Sequence, residues 1–95
     1  MNKTITKEKL EKYFLITKEA LDAAQKAEKR VDMKSEAADF LDMASRYFSD
    51  ANHFREKGDY VLAYASLNYA HGWLDAGARI GLFKVKDSRL FTVDD

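Results

Sequence analysis

The chain has no proline and no cysteine, and its four glycines stand at positions 58, 72, 77 and 81. The first 57 residues therefore hold neither of the residues that most readily break a helix. Without cysteine there are no disulfides and no thiolate metal sites, which fits a reducing compartment. Charge of one sign is also missing: 16 basic residues balance 16 acidic ones. Binding to a phosphate backbone draws on a surplus of Lys and Arg, so this balance argues against a dedicated nucleic-acid binder. No apolar run approaches the roughly 20 residues that span a bilayer. Met1-Asn2-Lys3-Thr4 leads straight into charged residues, with no apolar signal core. These absences lead to the expectation of a cytoplasmic protein with no membrane association.

What remains is helical. At 95 residues, 46% hydrophobic and 34% charged, the chain is expected to form one domain over residues 1–95. Leu10, Phe14, Thr17, Leu21 and Ala24 recur at spacings of four and three, flanked by Tyr13, Ala20 and Ala27. Ala37, Phe40, Ala44, Tyr47, Ala51 and Phe54 repeat the pattern, widened by Leu41, Met43 and Phe48. A third stripe comprises Tyr60, Ala63, Leu67, Ala70, Leu74 and Gly77. Gly58 offers a left-handed residue to end one helix, and Asp59 a cap to start the next. Glu8 with Lys12 and Asp22 with Lys26 are acid-before-base pairs that support the first helix.

The spacing predicts an all-α, three-helix, up-down-up bundle with helices near 6–29, 35–57 and 60–80. The first turn, Arg30 to Ser35, has neither Gly nor Pro, and only Asp32 or Ser35 offers a cap. A single continuous helix is the rival there. Residues 82–95 form a tail in which Leu82-Phe83-Lys84-Val85 echoes Leu90-Phe91-Thr92-Val93. A small β-hairpin is one reading of that echo. Because an isolated hairpin is marginal in water, an extended tail docked on the bundle is preferred.

Ala51, Phe54, Gly58, Tyr60, Ala63, Leu67 and Ala70 together resemble one tetratricopeptide repeat. Such repeats normally stack, so here the first helix must close the open side of a single copy. The string Asn68-Tyr69-Ala70-His71-Gly72-Trp73-Leu74-Asp75-Ala76-Gly77 carries a closer likeness, together with Gly58-Asp59-Tyr60, Ala63 and Gly81-Leu82-Phe83. Over residues 10–93 the chain resembles the archaeal family called domain of unknown function 357. That resemblance implies a compact helical bundle of archaeal, cytoplasmic origin, with no established activity and no catalytic residue to carry over.

The third helix also carries the residue types that bind things. Tyr64, Asn68, His71, Asp75 and Arg79 fall in one band beside the core stripe, a rich hydrogen-bonding set. They form either a binding strip or the polar border of a buried face. Gly72 and Gly77 each cost about 1 kcal/mol relative to alanine inside a helix, which close approach of another backbone would offset. Trp73 lies on the other flank with Tyr69, Leu62 and Ile80. It belongs either to a stripe covered by the first helix or tail, or to an exposed surface for a partner. With Leu15 and Ile16 of the first helix, this is more apolar surface than a lone three-helix bundle covers, and self-association would resolve it.

Other constellations are thinner. Asp50 with His53, and His71 with Asp75, sit one turn apart as metal ligands can, but there is no Glu-x-x-His and only two histidines. Arg46 and His53 are spaced like the pair in helical-bundle ribonucleases of the HEPN class, where imidazole moves a proton and guanidinium holds phosphate. No set assigns a catalytic residue, a metal or a cofactor. The leading expectation is a non-enzymatic interaction or assembly module that binds a protein partner or itself through the third helix and tail. The alternative is a small-ligand or RNA-processing protein using the Tyr64-to-Arg79 strip or Arg46 and His53.

Overall fold

A computed structural model of the chain describes residues 5–92. It contains three helices, α1 (Lys7–Lys26), α2 (Lys34–Glu56) and α3 (Tyr60–Arg79), so the bundle forms as its three stripes predict and the continuous-helix rival does not. α2 and α3 pack along their length as an antiparallel hairpin, and α1 lies across them, more against α3 than α2.

Local chemistry sets most of the boundaries. The Thr6 hydroxyl accepts from the Lys9 amide at 3.1 Å and starts α1. The Asp59 carboxylate accepts from the Leu62 amide at 3.1 Å and starts α3. Gly58 and Gly81 both have φ of 77°, and each closes a helix with the paired backbone bonds of a Schellman motif. At the first, the Asp59 amide reaches Phe54 O at 2.9 Å; at the second, the Leu82 amide reaches Gly77 O at 2.8 Å.

Three expectations need correction. α2 starts on Met33, which makes no side-chain cap bond, rather than on Asp32 or Ser35. Asp22 pairs with Lys18 at 2.8 Å, one turn toward the N-terminus, and not with Lys26. α1 ends at Lys26 instead of running to 29, because the next residues are used by the tail. Arg30 N donates to Leu82 O at 2.9 Å and Lys84 N to Glu28 O at 2.9 Å, around a single antiparallel bridge between Lys29 and Phe83. The tail thus pairs with the α1–α2 link and not with itself. Leu82, Phe83, Leu90 and Phe91 are all buried, and Val93 lies outside the described residues.

The core has two parts. Toward one end Leu10 and Phe14 of α1 meet Ala51, Ala63 and Leu67. Toward the other, Leu21 and Ala24 join Ala37, Ala44 and Leu74 with the four tail residues. Arg55 clasps α1 to α2, its guanidinium 3.8 Å above the Phe14 ring and 2.9 Å from Glu11.

Candidate functional site

The polar band of α3 divides among three neighbours. Tyr64 packs on Tyr13 of α1 with ring centroids 5.1 Å apart. Burial, and then the hydrogen bond with Tyr13, holds its phenol above the ordinary tyrosine range. His71 and Asp75 belong to the tail. His71 Nε2 lies 2.5 Å from the Leu90 carbonyl, which can only accept, so that nitrogen carries the proton. In the neutral ring Nδ1 then accepts from the Thr17 hydroxyl at 3.4 Å, which gives that buried threonine of α1 its partner. Asp75 takes two bonds from Thr92, 2.9 Å from its amide and 3.2 Å from its hydroxyl, and lies 3.9 Å from His71 Nε2. His71 therefore sits at a junction of α1, α3 and tail. Arg79 is exposed and lines a polar cleft of about 400 Å³ with His71, Asp75, Ser88 and Arg89. Arg89 is tied in turn to Glu19 and Asp87, and the Glu19 carboxylate holds its guanidinium even more firmly protonated.

Asn68 is exposed, hydrogen-bonded to the Tyr64 phenol, and borders a second feature on the other side. A groove of about 600 Å³ runs along the outward face of α3, lined by Phe40 of α2 and by Ala65, Tyr69, Gly72, Trp73 and Ala76, with Asn68 on its border. Trp73 is half-buried and stands edge-on to Phe40 of α2, centroids 4.9 Å apart at 88°. Tyr69 is 62% exposed and stacks on Tyr47 of α2 at 5.1 Å. Leu62 and Ile80 are also exposed on this side.

The two helical glycines differ in kind. A Cβ on Gly77 would stand 2.7 Å from Phe83 Cε1, so the tail's fully buried ring occupies the space a side chain would need. The close neighbour is a side chain, not the backbone expected. A Cβ on Gly72 would meet nothing within 4 Å. The expectation of a close backbone there fails: Gly72 carries its helix penalty of about 1 kcal/mol with no packing in the fold to offset it. The groove stays open at that point.

Arg46 pairs with Asp42 at 2.9 Å, while His53 is exposed with its ring against Phe54. Among the described residues there is no group of three or more His, Cys, Asp or Glu placed to hold a metal ion, and no helix long and apolar enough to cross a membrane.

A family model described as protein of unknown function (DUF357) matches residues 12–83. The chain belongs to the DUF357 family. The segment it shares with the DUF357 model takes in the whole groove, from Phe40 to Ala76, and ends at Phe83, before Leu90 and Thr92. Searches of curated proteins and of solved structures each found no match.

Sequence reasoning placed the α3 residues on the right helix but not with their partners. Thr17, Leu90 and Thr92 were missed because a hydroxyl in an apolar stripe and a tail carbonyl carry no periodic signal. Phe40 was read as core only, although its spacing also brings it to the α2 edge.

Proposed function

We propose that this DUF357 chain is a non-enzymatic association module that docks a protein helix along the outward face of α3. The observation that carries the reading is that α3 is apolar on two faces. One is buried in the bundle through Ala63, Leu67, Ala70 and Leu74; the other leaves Leu62, Tyr69 and Ile80 in solvent beside an open groove. A helix apolar on both faces belongs between two partners, and the fold supplies only one. The tail takes part as a brace, since its polar bonds to His71 and Asp75 fix α3 from behind. A cysteine-free chain is compatible with a cytoplasmic setting, which belongs to the same proposal.

Photocrosslinking tests it. A benzophenone side chain at position 69 is expected to give discrete adducts in cells that disappear when Gly72→Arg fills the groove. The same group at position 15, on exposed α1 surface, is the control. Equal adduct patterns at both positions, or adducts indifferent to Gly72→Arg, would sink the reading.

The cleft near Arg79 and Arg89 favours a second reading, a small polar ligand held beside the tail. A thermal-shift screen with nucleotides and inorganic phosphate would support it only if His71→Ala or Arg79→Ala abolished the shift.

A further inference from the structure

Resting on the association reading, we propose that the helix docked on the α3 face is α3 of a second copy, running antiparallel about a twofold axis between residues 70 and 71. The exposed face repeats as Leu62, Ala65, Tyr69, Gly72, Ala76 and Arg79, with spacings of three, four, three, four and three. That is a heptad seam, with Leu62, Tyr69 and Ala76 in one register and Ala65, Gly72 and Arg79 in the other. Antiparallel pairing matches each register with the opposite one. Tyr69 then lies over Gly72 of the second copy, twice, Ala65 faces Ala76, and Leu62 faces the aliphatic stem of Arg79. The bulky ring is thus opposed to a helical glycine at which nothing stands within 4 Å of an added Cβ. The surface is complementary to itself, which a closed twofold pair requires.

Charge agrees with this direction. Asp75 and Arg79 are the only charged residues in α3, and Asp59 caps its start. Reversing the second copy brings Arg79 toward the partner helix's Asp59 and opposes the two helix dipoles, whereas parallel copies would set like ends together. A net charge of zero leaves no overall repulsion to overcome. The area is sufficient. α3 runs about 30 Å, and with the α2 wall carrying Phe40 and Tyr47 the face is two helices wide, at about 10 Å each. Roughly 600 Å² per copy, about 1,200 Å² in all, is the lower limit of specific interfaces, so the pair forms reversibly.

Sedimentation equilibrium on the full chain is expected to give a monomer–dimer equilibrium over the micromolar range. Gly72→Arg, whose side chain enters open groove, should weaken the dimer at least tenfold with helix content unchanged. Tyr69→Ser is the second variant should Gly72→Arg lose its fold. With no native cysteine, oxidising a mixture of differently tagged Ala65→Cys and Ala76→Cys chains should give the mixed disulfide in excess over either homodimer. A monomer at every concentration overturns the pairing, and if position 69 still crosslinks to another protein the association reading survives it. A dimer indifferent to both substitutions, or one linked 65 to 65, overturns the proposed face or its direction.

Discussion

Gly72 and Gly77 are five residues apart on one helix and should respond oppositely to the same methyl group. Alanine is the better helix former, so Gly72→Ala, entering empty space, is expected to stabilise the monomer by about 0.5–1 kcal/mol, several degrees in melting temperature. Gly77→Ala meets the buried Phe83 ring, and the strain of overpacking should outweigh the propensity gain, for a net loss of about 1–3 kcal/mol. Thermal melts followed by circular dichroism, at concentrations where only monomer is present, would separate the two. Matching shifts would mean that propensity alone governs both sites. At this scale much of the chemistry was unreadable from sequence, since both glycines look alike as interruptions of the same pattern. Only the fold reveals that one is filled by the tail and the other is left open.

The tail is held by polar contacts as well as by apolar ones. His71 grips the Leu90 carbonyl and Asp75 grips Thr92, while Phe83 and Leu82 anchor it beneath. Replacing His71 by alanine removes one bond and leaves the Thr17 hydroxyl buried without its acceptor, a local loss of about 1–2 kcal/mol. Trypsin cleavage after Lys84, Lys86 or Arg89 should then quicken about tenfold while helix content is retained. Unchanged cleavage would show that the apolar anchors suffice. The three helices themselves were legible because each buries a stripe with a helical period, and two of their ends were legible because Gly58 and Asp59 announce them. The end of α1 was not. Glu28 to Arg30 leave the helix to pair with residues 82–84, a contact across more than fifty positions that no local pattern encodes. The tail docks on the bundle as its Leu and Phe residues lead one to expect, and of its two echoing halves only residues 82–84 pair as β, with the α1–α2 link.

On the scale of the molecule, α2 and α3 form an antiparallel pair, and α1 closes its open side. Leu10, Phe14 and Leu21 are nearly or fully buried by that arrangement. At about 1.5–3 kcal/mol each, they contribute an amount comparable to the entire stability of a small domain. A chain lacking residues 1–26 is therefore expected to keep helical signal yet bind a hydrophobic dye and melt without a cooperative transition. A sharp melt from that fragment would show that the hairpin is self-sufficient. The outward apolar face of α3 was visible in the sequence as a surplus of Leu62, Tyr69, Trp73 and Ile80. What the sequence withheld was its shape, because the Phe40 wall and the Gly72 gap come from two helices brought side by side.

Phe83 has a consequence for synthesis. Its ring fills the hollow over Gly77, deep in the core, yet it follows all three helices in the chain. A nascent chain that has already released α3 still lacks the plug for its own centre. While the ribosome holds residues 82–91, the bundle would remain loosely packed, with Leu74 and Ala78 open to water. Final consolidation would therefore wait for release of the tail, and a stall in that stretch would leave the chain at its most vulnerable to proteases and chaperones.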